Sequence, residues 1–195
     1  VVGLERLSLI TNRFQRIGLS ATISNPEDVC KFLVGTWRLC EVIDLGNIRP
    51  MHIVVDVPSI KENIDNIAHG DPELMLRLNT IRKIVDEVKG SVLIFTNTRD
   101  YAEFLGYKLK ELGLEVAVHH GSLSRDERIK SEKLFKEGKL KGIVATSSLE
   151  LGIDIGSIEL VIQHMSPRQV TRLIQRVGRS CHYIDKTAIG VVLAP

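Results

Sequence analysis

The chain has 195 residues, 44% of them hydrophobic and 26% charged, the ordinary balance of a soluble globular protein with one well-buried core. A net charge of +2 gives no global field that would draw it to nucleic acid, so any such surface must be local. Cys30, Cys40 and Cys181 show neither zinc-like nor redox-like spacing and fit a reducing cytosol, while no apolar run approaches a membrane span and no signal-peptide pattern opens the chain.

Val1, Leu4 and Leu7 read as the tail of an amphipathic helix, so the sequence is expected to be a fragment. Gln15-Arg16-Ile17-Gly18-Leu19 predicts a short strand ending at Ser20-Ala21-Thr22, and Ser24-Asn25-Pro26-Glu27 starts a helix that stops at Gly35. This βα unit has no following strand of its own, so residues 1–36 are expected to belong to a preceding domain and 37–195 to form the main one. Residues 38–57 predict two strands around an Asp44-Leu45-Gly46-Asn47 turn, and 58–72 a loop. Leu74, Leu78, Ile81, Val85 and Val88 place a helix over 73–89.

From residue 91 onward short apolar runs alternate with helical spacing. Strands are predicted at Ser91–Phe95, Val116–Val118, Gly142–Ala145, Leu160–Ile162 and Ile189–Leu193. A helix from about Arg99 puts Ala102, Leu105, Leu109 and Leu112 on one face and stops at Gly113; a Ser124–Glu127 capping box opens the next, which ends at Gly138; Arg168–Val177 is a third. Apolar strands alternating with helices predict a three-layer α/β/α domain around a mostly parallel sheet.

In such a sheet ligands sit at the carboxyl ends of the strands. Four polar clusters fall there: Ser20-Ala21-Thr22, Thr96-Asn97-Thr98-Arg99, His119-His120-Gly121-Ser122 and Ala145-Thr146-Ser147-Ser148. Each alone reads first as a helix cap; four together on one sheet edge also suit a phosphate backbone. Arg172, Arg176 and Arg179 recur at helical spacing, which describes either a solvated basic face or, with Gly178 ending the helix, an outward-aimed guanidinium suited to phosphate. Trp37 is expected to pack at the domain junction, Cys30 and Cys40 to be small core residues, and His52, His69 and His164 to be surface or satisfied histidines. Asp86-Glu87 reads as an ordinary solvated pair.

Gly18-Leu19-Ser20-Ala21-Thr22 with Asn25-Pro26 resembles motif III of superfamily 2 helicases. Val92 to Thr98 resembles motif IV, His119 to Ser124 motif IVa, Ala145 to Asp154 motif V and Gln175 to His182 motif VI. The wording of motifs III, V and VI is similar to the large helicase-related (Lhr) group of archaea and bacteria. The resemblance implies a RecA-like fold, with 1–36 the end of a first, ATP-binding RecA-like domain and 37–195 the second. It further implies that Arg179 is an arginine finger reaching the γ-phosphate of ATP, and that Gln175 couples motif VI to motif III. Gly152, Asp154, Arg176 and His182 would lie near the nucleotide; Thr96, Asn97, Arg99, His120, Gly121, Ser122, Thr146 and Ser147 would hold the nucleic acid; Ser20, Ala21 and Thr22 would link ATP state to domain closure.

The implied partners are single-stranded or duplex nucleic acid, DNA ahead of RNA, and the N-terminal RecA-like domain of the same polypeptide. The implied setting is the prokaryotic cytosol, with DNA repair the expected context. ATP and Mg²⁺ would be bound mainly by that first domain, because no Gly-x-x-x-x-Gly-Lys-Ser/Thr loop occurs here. Alone, the chain is expected not to hydrolyse ATP; the alternative reading is a non-catalytic RecA-like module binding nucleic acid or protein. Two positions depart from the wider pattern. Cys181 stands where glycine is usual, which strains the turn if φ is positive, and His182 stands where many relatives carry a second finger arginine.

Overall fold

The computed structural model describes residues 1–11, 14–20, 23, 25–44, 50–58, 71–150, 156–181 and 187–194, and within them every apolar run predicted as a strand beyond residue 91 is one. The strands are β1 (Met51–Asp56), β2 (Ser91–Phe95), β3 (Val116–His119), β4 (Gly142–Ala145), β5 (Ile158–His164) and β6 (Ala188–Leu193). The helices are α1 (Val2–Ser8), α2 (Pro26–Val34), α3 (Pro72–Glu87), α4 (Arg99–Glu111), α5 (Arg125–Lys136) and α6 (Val170–Val177). Among the described residues no helix is long and apolar enough to cross a membrane.

The chain divides into two compact units, Val1–Ile48 and Arg49–Pro195. In the second, the strands form one sheet in the order β1-β6-β5-β2-β4-β3, and every neighbouring pair is parallel. Alternation along β2 explains the layering. Val92 and Ile94 join a core with Leu78 and Ile81 of α3 and Leu105 and Leu109 of α4. Leu93 and Phe95 point the other way, into a core with Phe135 of α5 and Val177 of α6. These four residues are 0% exposed, so helices cover both faces and the expected three-layer α/β/α architecture is present.

Local chemistry fixes the helix ends where the sequence places them. The Thr98 hydroxyl accepts from Tyr101 N (3.3 Å), and Ser124 and Glu127 exchange side-chain and backbone bonds in a complete capping box. Such a cap contributes about 1 kcal/mol. Gly113 (φ 86°) and Gly138 (φ 69°) adopt the left-handed conformation beyond α4 and α5 that an L side chain resists.

Several expectations are overturned. Of the two strands expected over 38–57, the described residues 38–44 form none, and β1 pairs in parallel with β6, which a crossover rather than a tight turn must deliver; Leu45, Gly46 and Asn47 of the expected turn lie outside the described residues. Residues 14–20 are likewise not a strand, since no described segment offers them a ladder. The compact units part after residue 48, and residues 37–44 group with α1 and α2 for identifiable reasons. Arg38 grips the Glu5 carboxylate with two nitrogens (2.7 and 2.9 Å), and Arg16 adds a third bond (2.8 Å). Those hydrogen bonds, Arg38 first, hold the Glu5 pKa down to about 2. Cys30 and Cys40 are not separate core thiols but a disulfide, with Cα atoms 6.1 Å apart. Trp37 is 73% exposed, its ring lying 5.1 Å from the Arg38 guanidinium. In the second unit His164 is neither on the surface nor satisfied: it is 1% exposed, and neither ring nitrogen has a hydrogen-bond partner.

Candidate nucleic-acid edge and finger turn

Because the sheet is wholly parallel, the segments after β2, β3, β4 and β5 emerge at one edge. Arg99 is exposed there and its guanidinium donates to the Ser122 hydroxyl, joining the turn after β2 to the turn after β3. Gly121, Ser122 and Ser147 are exposed. A side chain at position 121 would meet no protein atom within 4 Å, so the fold itself makes no demand for glycine there. Asn97 is half-buried and donates to Ser166 O after β5 (2.8 Å).

Three expected contact residues are turned inward instead. Thr96 is 1% exposed, its amide bound to Ala145 O (2.9 Å) and its hydroxyl to Thr98 O (3.2 Å). Thr146 is buried and its amide donates to His119 O (3.3 Å). His120 is also buried, with Nε2 against Glu103 (2.7 Å) and Nδ1 accepting from Ser122 N (3.3 Å). His119, which the sequence left in the cluster without a role, is 0% exposed. It binds Ser148 Oγ through Nδ1 (2.8 Å) and Glu132 through Nε2 (2.9 Å), bracing three segments at once. Buried polar groups are normally paired, and these pairs hold the loops in shape. The exposed Arg99, Gly121, Ser122 and Ser147 are the surface they present.

The second cluster lies off α6. Gly178 (φ −58°) still has helical geometry and closes the helix, as its sequence position implied. The following turn is pinned under the sheet's other end. Ser180 Oγ donates to Val177 O (2.8 Å) and accepts from Ile189 N (2.7 Å), and Cys181 N donates to Ile158 O (2.5 Å). Ile158 and Ile189 stand at the beginnings of β5 and β6, so the Arg179 turn sits away from the loop edge. Cys181 has φ 49°, the left-handed conformation its departure from glycine puts under strain.

Arg176, expected near the nucleotide, is buried in this unit. It is 1% exposed, with Nε and Nη2 on Glu150 Oε1 (2.7 and 2.5 Å) and Nη1 on Gln163 Oε1 (2.6 Å) and Asn97 Oδ1 (3.5 Å). The Phe95 ring lies 4.9 Å from its guanidinium carbon. Burial lowers its pKa while the Glu150 carboxylate opposes the shift. A buried cation needs such a counter-charge, and Glu150 supplies it from the segment after β4. Arg179 is half-buried; its Nε donates to Glu150 O (3.0 Å), and burial lowers its pKa. Gln175 is half-buried on α6 and Ser20 is exposed in the first unit. Ala21, Thr22, Gly152, Asp154 and His182 lie outside the described residues, as does His69.

Glu150 and Gln163 are not among the residues the sequence singles out. A signal existed for the first: three arginines at helical spacing call for a carboxylate, and Glu150 stands in an apolar and hydroxyl-rich run. Nothing in the sequence singled out Gln163, whose Nε2 is held by His164 O and Met165 O (both 2.9 Å).

Residues 76–183 match the helicase conserved C-terminal domain. Over 195 aligned residues the chain is 43% identical to the ATP-dependent helicase Lhr-Core of Methanocaldococcus jannaschii, covering 98% of this chain and 22% of that protein. It is 34% identical to the Lhr helicase/probable uracil glycosylase of Mycolicibacterium smegmatis, covering 98% of this chain and 15% of that one. Among solved structures, Mycobacterium smegmatis helicase Lhr bound to ssDNA and AMP-PNP matches with TM-score 0.80 at 35% identity, over 99% of this chain and 26% of that one. S. cerevisiae Dbp5 bound to RNA and ADP BeF3 matches with TM-score 0.66 at 22% identity, over 89% and 43%, a likeness of fold alone. The chain spans less than a quarter of the length of these curated relatives.

Proposed function

The chain belongs to the superfamily 2 helicases, as a RecA-like helicase C-terminal domain of the Lhr type, and from that premise we propose that it is the second motor domain of an ATP-dependent helicase or translocase. It supplies the arginine finger, Arg179, and one half of a nucleic-acid track. The observation that carries this reading is the division of labour within the second unit. Exposed Arg99, Gly121, Ser122 and Ser147 share one end of the sheet, while a pinned turn at the other end fixes the backbone of Arg179. Loops that offer amides, hydroxyls and a guanidinium grip phosphates without reading bases, which suits a motor that moves along a strand. A guanidinium on a fixed backbone suits the neutralisation of charge that develops during phosphoryl transfer.

ATP and Mg²⁺ would fall to an ATP-binding RecA-like domain, of which the first unit is the closing piece; Mg²⁺ would supply charge neutralisation during phosphoryl transfer. Nucleotide-driven closure and opening of the two domains would move the strand. Single-stranded DNA is the favoured track, a reading supported by the strand named with the mycobacterial relative. In a polypeptide that joins this chain to that domain, Arg179→Ala is expected to lower strand-dependent hydrolysis by roughly 10³-fold or more while sparing ATP binding. Hydrolysis at the parental rate would remove Arg179 from the finger role.

A further inference from the structure

Glu150 holds motif VI at two separate points. Its carboxylate takes Arg176 Nε and Nη2, with Arg172 Nε at 3.6 Å, and its backbone carbonyl takes Arg179 Nε at 3.0 Å. Arg176 reaches onward from Glu150 to Gln163 and to Asn97, and Asn97 is itself fastened to Ser166 at the loop edge. One hydrogen-bonded chain therefore runs from the loops after β2 and β5, through a guanidinium that is 1% exposed, to the carbonyl that seats Arg179. A buried network of this kind has few alternative arrangements, since each broken bond leaves a polar or charged group unpaired.

We propose that Glu150 is a positioning residue for Arg179, and that Arg176 with Gln163 is the strut joining the strand-binding edge to the finger. The inference rests on the proposed motor function and adds to it the means of communication. In this inference Glu150 and Arg176 act through Arg179. A shift of Asn97 when a strand binds moves Arg176, Arg176 pulls on the Glu150 carboxylate, and the same residue's carbonyl re-aims Arg179. Rigid side-chain contacts pass such displacements on because packed interiors do not deform continuously.

The test uses the polypeptide joining this chain to its ATP-binding domain, with single-stranded DNA as activator. Glu150→Gln keeps the size and the backbone carbonyl but removes the charge that fixes Arg176. It is expected to lower strand-stimulated kcat roughly 10- to 100-fold, the scale of a misplaced reacting group, with KM for ATP and the strand Kd unchanged. Because the effect runs through Arg179, Glu150→Gln added to Arg179→Ala is expected to change the residual rate, read with enzyme in excess, less than about twofold. If Glu150→Gln leaves kcat at the parental value, or multiplies the Arg179→Ala loss by its full factor, the positioning role is wrong. Should Glu150→Gln not fold, the same cycle is run in Glu150→Gln/Gln163→Glu, which returns a carboxylate to Arg176 from the other side and leaves the 150 side chain uncharged. A parent without strand-stimulated hydrolysis, or one indifferent to Arg179→Ala, overturns the motor reading and this inference together. A normal parent with an inert Arg179→Ala and additive Glu150→Gln overturns this inference alone.

Discussion

His164 ends β5 in the core between the sheet and α3 and α4, stacked on Tyr101 at 5.0 Å between ring centroids. Both of its ring nitrogens are buried and unpaired, and burial, with the nearby Arg77 charge, holds its pKa down to about 4. The depressed value sets the sign of the pH dependence. An unfolded chain binds a proton near pH 6.5 that the folded chain refuses until about pH 4. Stability is thus complete above about pH 6.5 and falls as the pH drops toward the folded value. Linking the two values gives a loss of about 2.5 kcal/mol between pH 7.5 and 4.5 from this one residue.

His164→Phe keeps an aromatic partner for Tyr101 and removes both the proton site and the two unpaired nitrogens. Its acid branch should therefore be shallower than the parent's by about 2.5 kcal/mol between those two pH values. At neutral pH the variant should be no less stable, and more stable by about 1 kcal/mol or more where the unpaired nitrogens cost a normal desolvation penalty. Urea unfolding at pH 7.5 and 4.5 on both proteins gives the comparison, because other acid-titrating groups contribute equally to each. Parallel losses in parent and variant would refute the reasoning, as they would mean that His164 takes up its proton in the folded state as easily as in the unfolded one.

The strained turn and the crosslink give two further expectations. Cys181 sits at φ 49°, and Cys181→Gly should raise the thermal midpoint by the equivalent of about 0.5–1 kcal/mol, less than the full left-handed penalty because glycine also gains freedom when unfolded; a lower midpoint would show that the turn is not strained. Cys30 and Cys40 close a short loop, so thiol titration of the denatured, non-reduced chain should return one thiol, Cys181, and reduction should cost the first unit up to about 3 kcal/mol. Three titratable thiols would contradict the pairing.

The parts of the fold legible in the sequence are those written by local rules. Ser91–Phe95 is apolar at every position after the first, and only a strand buried on both faces accommodates that, so β2 and its neighbours follow. The Ser124–Glu127 box satisfies orphan amides within one turn and needs no distant partner. The misreadings all involve distant partners. The turn-like Asp44-Leu45-Gly46-Asn47 before β1 suggests a hairpin, yet the ladder of β1 comes from β6, more than a hundred residues on. Residues 15–19 carry strand-like chemistry and no described ladder. Cys30 and Cys40 looked unrelated because a ten-residue separation says nothing about where Arg38 and Glu5 draw the chain. His164 looked incidental because one residue type reveals nothing about the absence of a partner.

The arginines of α6 mark the same limit at the site. Arg172, Arg176 and Arg179 follow one helical stripe, and periodicity alone treats them alike. The structure grades them instead. The Arg172 side chain is 37% exposed, the Arg176 side chain 1%, and Arg179 lies half-buried past the helix end. That gradient follows from Glu150, which approaches the stripe from another segment and takes the middle arginine as its ion partner. Arg176 is committed to that pair, and breaking it costs on the order of 3–5 kcal/mol, eased by Arg172 Nε at 3.6 Å from the same carboxylate. Arg179 is held differently: its Nε donates to the neutral Glu150 carbonyl at 3.0 Å and not to the Glu150 carboxylate, a distinction between the two arginines that helical spacing does not carry.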